Sequence, residues 1–401
     1  MTHRGARLAL LVASAAAIGL FTLGPVGPSP TWAQGDCCIL TDLVLNVLLF
    51  LPFGISLGLL GAKALVSTGV GALASTGIEI AQLWVPGRMS SVHDVLTNAL
   101  GTLLGAVIVA GWAGRERWWR IAGPGIAALM LVASLAGGLL VRPAASHPGV
   151  WWGQWAHEFG GTTVQFQGRV LGFSLQQMPI PDGRVPESSR LNGLLAGTDT
   201  IRLSAAIVSG APVAGRAQLV GIVADGPGGE YLGLWQEGRS LLAFVRLRLT
   251  DASLRTAWLR LDRALPETAG DTVVLAATST PRRVILSSDY DGSHAEGNFN
   301  LSAALFWASL LPFEFETGTH LSVWPLLPMV LAFVGLGMGI RDWTALALAG
   351  VVALLAGPLL GGTATPPGAA VATAIAGSWL GRSIALRLGL MRWKKTATSP
   401  G

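Results

Sequence analysis

The residues best placed to do chemistry are polar side chains in or at the start of apolar blocks: Asn46, Glu79, Gln82, Asp94 and Asn98, with Arg88 in the short stretch between the block that carries Glu79 and the one that carries Asn98. A charge at the centre of a bilayer costs about 2.5–3.5 kcal/mol on insertion scales, so such residues invite a functional reading. Glu79 and Gln82 stand three apart and Asp94 and Asn98 four apart, spacings that put each pair on one face of a helix. A carboxylate there could act as a general acid or base, or bind a ligand. Glu79 precedes Trp84 by five residues, which puts it roughly 7.5 Å below a membrane interface marked by that ring. At that depth it needs a partner: Arg88 folding back, or a proton. His93 lies beside Asp94 without companions at ligand spacing, and His147, His157 and His294 are scattered, so no metal or other cofactor is expected.

The elements that carry these residues are membrane spans. Of 401 residues, 51% are hydrophobic and 12% charged, against about 25% charged in a soluble domain. The apolar residues form eight blocks of near-bilayer length: Leu8–Leu23, Leu43–Leu60, Ala64–Val85, Val95–Ala113, Ile121–Val141, Leu321–Ile340, Trp343–Leu360 and Gly368–Leu388. The first competes with a cleaved signal peptide ending near Ala33, although Thr31-Trp32-Ala33 is a poor cleavage site. Pro52 removes a backbone donor and frees the Leu48 carbonyl, a way to bend the second span. Gly54 with Gly58, and Gly101 with Gly105, read as close helix contacts.

Basic residues orient the spans, because Lys and Arg collect in cytoplasmic loops. One assignment places Arg4, Arg7, Lys63, Arg115, Arg117, Arg120, Arg341, Arg382, Arg387, Arg392, Lys394 and Lys395 inside and leaves only Arg88 in the opposite short loops. Both termini then face the cytoplasm, and the segment between Arg142 and His320 is extracytoplasmic. Trp84, Trp112, Trp118, Trp119, Trp324 and Trp343 sit at span ends as interface anchors. The net charge of +5 lies beside apolar blocks rather than in an aromatic-laced stripe, which argues against nucleic acid. Cys37 and Cys38, the only cysteines, are adjacent and unsuited to bond each other; they are inert or serve an intermolecular bond.

Between the fifth and sixth spans the pattern changes to alternation with frequent turn formers, the mark of an all-β sandwich or jelly roll. Strands are expected at Thr162–Phe166, Thr200–Val208, Leu219–Ala224, Tyr231–Gln236, Leu241–Leu249, Thr272–Thr278 and Arg283–Ser287, with a hairpin around Glu237-Gly238 and no helix of note. Asp289-Tyr290-Asp291-Gly292 reads as a solvated turn or a calcium or sugar contact. Asn300–Phe313 is apolar but short, which suits an interfacial segment. The chain thus divides into an N-terminal span and loop (1–40), a transmembrane domain (41–143), a β-sandwich (144–300), an interfacial segment (301–320), three further spans (321–390) and a tail (391–401).

The run Asn46 to Gly54, the Glu79-x-x-Gln82 pair, Pro86-Gly87-Arg88, and Asp94-x-x-x-Asn98-x-x-Gly101-x-x-x-Gly105 together resemble the VanZ-like family of bacterial membrane proteins, over roughly Thr41 to Ala113. The family is named for a protein linked to teicoplanin resistance. The resemblance implies a cell-envelope role, with Asn46, Glu79, Gln82, Arg88, Asp94 and Asn98 as the polar signature. The outer segment resembles, less specifically, the concanavalin A-like and laminin G-like jelly rolls, on Gln218 to Leu249 with its Asp225-Gly226-Pro227-Gly228-Gly229 loop and Arg246-x-Arg248. That resemblance implies glycan or protein binding, without the Glu-x-Asp-x-x-Glu pattern of glycosidases of that fold. The six polar residues are either a ligand site or a network that pins helices together. The partners expected are membrane lipid and, as ligand, a lipid-linked cell-wall precursor, a cell-wall glycan or a glycopeptide. An enzyme using Glu79 or Asp94, or a transporter, is the alternative, with no nucleophile arrangement to support the first and no paired interrupted spans to support the second.

Overall fold

The computed structural model describes residues 3–23, 39–85, 90–112, 115–144, 149–158, 164–196, 199–225, 229–311, 316–318, 326–340 and 342–387. Arg88, Cys37, Cys38, part of the 225–229 loop, most of 312–325, Arg341 and the tail basic residues Arg392, Lys394 and Lys395 lie outside them, as do the side chains of Trp112, Arg115, Arg117, Trp118, Trp119, Arg120 and Arg387.

Five helices open the chain: α1 (His3–Leu23), α2 (Ile39–Leu59), α3 (Ala64–Gln82), α4 (Val92–Trp112) and α5 (Arg115–Leu140). Glycines set how closely α2 and α4 approach. A Cβ added at Gly101 would lie 2.3 Å from the Val47 carbonyl oxygen, one at Gly105 2.2 Å from that of Leu51, and one at Gly54 2.1 Å from that of Thr102. The registers of Gly101 against Val47 and Gly105 against Leu51 rise together, so α2 and α4 run parallel, with α3 returning between them. Without a hydrophobic drive between helices in lipid, such backbone contact is what holds a bundle.

The sandwich follows. Its strands are β1 (Trp151–Trp155), β2 (Arg169–Leu175), β3 (Met178–Pro179), β4 (Gly183–Arg184), β5 (Ile201–Val208), β6 (Arg216–Ala224), β7 (Gly229–Glu237), β8 (Ser240–Val245), β9 (Trp258–Leu261), β10 (Thr272–Ser279), β11 (Arg283–Tyr290) and β12 (Ser293–Asn300). Helix α6 (Ser188–Ala196) lies between β4 and β5, and a single turn, α7 (Arg248–Asp251), follows β8. After β12 come α8 (Ala303–Ala308) and β13 (Glu316–Thr317), then α9 (Leu326–Gly339), α10 (Trp343–Gly361) and α11 (Gly368–Arg387). One sheet has the order β13-β9-β8-β7-β6-β1-β4 and the other β12-β11-β10-β5-β2-β3. All pairings are antiparallel except β13 with β9, and the two sheets stack as an open sandwich rather than a closed barrel.

Alternation selects the inner face: in β5, Ile201, Leu203, Ala205 and Ile207 are buried while Arg202 and Ser204 are exposed. The expected hairpin turns at Gly238, which takes φ 58°. Four differences from the sequence reading have local causes. The strand expected at Leu241–Leu249 stops at Val245, because α7 turns the chain under α5. Residues 164–166 of the strand expected at Thr162–Phe166 are irregular. Helix α6 was not foreseen; it buries Leu191 and Leu195, and Asn192 accepts the Trp151 indole N–H at 2.6 Å. Strands β1 to β4, β9, β12 and β13 were missed as well. The first is a run of aromatics around Gly153, and β12 is too polar to show an apolar period.

Helices occupy all eight expected span positions. Six, Arg4–Leu23, Leu40–Leu59, Ala64–Gln82, Val92–Gly111, Trp343–Gly361 and Gly368–Leu386, are long and apolar enough to cross a membrane, consistent with a multi-pass membrane protein. The apolar parts of the other two are shorter, Pro124–Leu140 and Pro328–Gly339.

The helices form two groups. Ile18, Phe50 and Phe53 make a small apolar cluster within α1 to α4. The sandwich core is instead continuous through Phe306 and Trp307 of the fully buried α8 with Met329, Phe333 and Leu336 of α9, Leu346 and Ala353 of α10, and Ala370 and Ala374 of α11. The sandwich also touches the first group at the start of α2. There Asp42 pairs with Arg255 at 2.8 Å, Thr41 Oγ1 donates to the Ser309 carbonyl at 3.1 Å, and Leu40 N donates to the Ser253 carbonyl at 3.1 Å.

Candidate functional site

The buried residues of α3 are Ser67, Gly71, Ser75, Glu79 and Gln82. Steps of four, four, four and three place them in one stripe, and in a lipid-facing helix the inward stripe is the small and polar one. The stripe lies against α4. A Cβ at Gly71 would stand 2.2 Å from Thr102 Oγ1, and Ser75 Oγ accepts from Asn98 Nδ2 at 2.9 Å.

At the top of the stripe Glu79, 6% exposed, accepts the backbone N–H of Ser91 at 2.7 Å. Ser91 immediately precedes the first residue of α4, so a carboxylate from α3 satisfies an amide at the α4 N-terminus, where the helix dipole favours negative charge. Asp94, half-buried in the first turn of α4, has Glu79 and Asp42 as the nearest like charges and Ser91 and Asn46 as polar neighbours. Among the described residues, neither Glu79 nor Asp94 forms an ion pair. Asn98 is 2% exposed; its amide is used by Ser75, but its Oδ1 has no partner among the described residues. Gln82 points elsewhere, donating to the Thr22 carbonyl of α1 at 2.9 Å.

The structure therefore brings Asn46, Glu79 and Asp94 together, sets Asn98 one turn below Asp94, and uses Gln82 as a tie between α3 and α1. Arg88 lies outside the described residues. Three participants went unnoticed in the sequence: Ser75, Ser91 and Asp42. The four-residue recurrence of small and polar residues along α3 is the signal that could have found Ser75. Nothing local marks Asp42, whose place follows from the contact with Arg255.

No group of three His, Cys, Asp or Glu able to hold a metal occurs among the described residues. His93 is exposed. Asp291 and Gly292 take positive φ in the turn joining β11 to β12, and exposed His294 contacts Asp289 Oδ1 at 2.7 Å through Nδ1, an ordinary cross-strand pair on a hairpin.

A second polar set lies on the face of the seven-stranded sheet turned away from the sandwich core. Glu230 of β7 accepts from Trp235 Nε1 at 3.1 Å and from Gln218 Nε2 at 3.3 Å, and Gln218 also reaches Gln154 Oε1 at 3.1 Å. Its carboxyl occupies space left by two glycines: a Cβ at Gly233 would fall 2.0 Å from Glu230 Oε1, and one at Gly221 3.3 Å from it. Burial pushes this carboxyl up to about 7, against the smaller opposing effect of the Trp235 and Gln218 hydrogen bonds. Beside it Trp235, Leu242, Phe244 and Trp258 form an aromatic cluster on which Arg216 stacks, 4.8 Å from the Trp258 ring centre. The sequence reading passed over Glu230, because a lone acid at a strand start looks like the end of the preceding turn.

Residues 13–113 match the VanZ/LLP1 family, a stretch that takes in most of α1 and all of α2 to α4. Comparisons with curated proteins and with solved structures returned no match. The match covers the helices that converge on Glu79, Asp94 and Asn98 and stops before the sandwich. Over this N-terminal quarter the chain is similar to the VanZ/LLP1 family, and an open β-sandwich follows.

Proposed function

We propose that this VanZ-like envelope protein binds lipid-linked cell-wall material, a glycan or a glycopeptide at the outer leaflet, through the polar cluster of Asn46, Glu79, Asp94 and Asn98. The β-sandwich, extracytoplasmic with both termini inside, serves as a lectin-like accessory. One observation carries this reading: Asn98 Oδ1 is buried with no partner among the described residues, one turn below Asp94, which lies near Glu79 with no described cation to balance either carboxylate. A buried acceptor without a donor costs about 1–3 kcal/mol, and a purely structural network would gain by filling it. A hydroxyl- or amide-bearing ligand supplies both the donor for Asn98 and further donors for Glu79 and Asp94.

The test is a pull-down of envelope lipids and glycans with the intact protein and with Glu79→Gln. The wild type should enrich lipid-linked glycan and the variant should lose at least tenfold of it, with both proteins expressed and melting alike. Equal loss of folded protein would make the cluster a helix-pinning network instead. The proximity of Glu79 to Asp94 favours a second reading, a membrane-embedded enzyme with the pair as acid and base. Incubation of purified protein with lipid-linked precursors would then give turnover that Asp94→Asn abolishes.

A further inference from the structure

A cavity of about 900 Å3 opens where the β10–β11 turn meets the C-terminal end of α10, far along the chain from the polar cluster. Its protein side is the tight turn at Pro281-Arg282, held by mutual bonds between Thr280 and Arg283: Thr280 N donates to the Arg283 carbonyl at 2.9 Å, and Arg283 N donates to Thr280 Oγ1 at 3.1 Å. The Arg282 carbonyl is fixed from the other side by Leu301 N at 2.8 Å. This rigid turn holds two neighbouring arginines at the cavity. Both are exposed, and neither guanidinium has a hydrogen bond or ion pair among the described residues. The far wall is Leu355, Pro358 and Leu359 of α10, followed by Thr363. Thr363 is 5% exposed, and its hydroxyl is buried without a partner among the described residues. The segment carrying it is anchored to the sandwich, since Ala364 N donates to the Leu301 carbonyl at 2.9 Å.

We propose that this cavity seats the phosphodiester head of an anionic phospholipid, with Arg282 and Arg283 on the phosphate oxygens and the acyl chains lying along α10. Guanidinium forks match phosphate geometry and bind it with charge-assisted hydrogen bonds. The final carbonyls of α10 carry roughly half a negative charge, which opposes an anion, but two full positive charges outweigh it. The arginines are also not spent on those carbonyls. A lipid rather than a free anion is favoured by the surface leading to the cavity: Leu348, Val351, Leu355 and Leu359, at steps of three, four and four, form one exposed stripe that ends at it. The proposal goes beyond the polar-cluster reading and uses none of its residues.

The test is lipid retention by the purified full-length protein, delipidated in detergent and re-offered phosphatidylglycerol or phosphatidylcholine at equal concentration, with bound lipid counted by native mass spectrometry. Wild type should retain phosphatidylglycerol at least fivefold over phosphatidylcholine. Arg282→Gln with Arg283→Gln should abolish the preference, Arg282→Lys with Arg283→Lys should keep part of it, and Glu79→Gln should leave it intact. Because both side chains are exposed on a turn held by backbone and Thr280 bonds, the variants should melt with the wild type, and the lysine pair provides a folded comparison if the glutamine pair does not. Equal retention of the two lipids, an unchanged preference in the glutamine pair, its loss in Glu79→Gln, or displacement by millimolar inorganic phosphate alone would each overturn the proposal.

Discussion

The sandwich and the first helical group treat charge in opposite ways. At the sheet edge, Arg260 bonds Glu237, Glu316 at 2.8 Å and Asp262 at 2.8 Å, while Arg216 bonds Glu316 at 2.9 Å and stacks on Trp258. Every member of that network has an opposite charge, and the network fastens the short strand β13 to β9. Between α2, α3 and α4, two carboxylates lie close together with backbone, serine and asparagine groups around them and no described ion pair, and one amide oxygen has no partner. Charges that neutralise each other explain themselves structurally. A group whose hydrogen-bonding capacity is left open is where a ligand has something to gain. Glu230 falls between the two cases, with neutral donors and no cation.

The largest effect is expected where backbones touch. Gly101→Leu would drive a side chain into the Val47 carbonyl, which cannot move without separating α2 from α4. A loss of about 3 kcal/mol or more is expected, read as collapse of the folded yield in detergent. Gly69→Ala, where an added Cβ meets nothing within 4 Å, should be near neutral. If both variants behave alike, the glycines do not set the bundle.

Glu230 sharpens the comparison through pH. Its carboxyl is raised from an ordinary 4.5 to about 7, so between those values the folded state holds a proton that the unfolded state has lost. Stability should fall as pH rises from about 4.5 to 7, and the loss should be complete above 7. Allowing for the partial exposure of the residue, the loss is roughly 2 kcal/mol. Glu230→Gln should melt like wild type at pH 5 and higher than it at pH 8. Identical melting at pH 8 would mean that the carboxyl is stabilised as an anion.

The smallest effect expected is at the paired edge. Arg260 is about a quarter exposed, so Arg260→Ala should cost about 1 kcal/mol, reduced further in high salt. A loss as large as that of Gly101→Leu would place the network in the folding core rather than at its margin. Arg255→Ala, which removes its ion pair with Asp42 at the start of α2, should have a similar cost and should increase proteolysis at the junction of sandwich and helices.

Periodicity was legible wherever one element decides a residue's surroundings. Each of the eight apolar blocks became one of the eleven described helices, β5 showed its alternation, and the three- and four-residue spacings put Glu79 with Gln82 and Asp94 with Asn98 on common faces. The shared face holds for Gln82 but does not specify which neighbour is met, and α1 proved to be its partner. Periodicity failed for β12, whose residues Ser293–Asn300 are strand by pairing with β11 rather than by their own pattern.

Composition and local spacing by themselves determined that this chain would build apolar helices around a sandwich and would carry six polar residues where polarity is costly. Only the tertiary structure decided that Glu79 would cap the α4 N-terminus, that Asn98 would keep an open acceptor, that Glu230 would lie in the space of two missing side chains, and that Arg255 would reach Asp42. Each of these depends on groups distant in sequence arriving within about 3 Å of each other. That proximity is set by how elements pack, and no window of neighbouring residues encodes it.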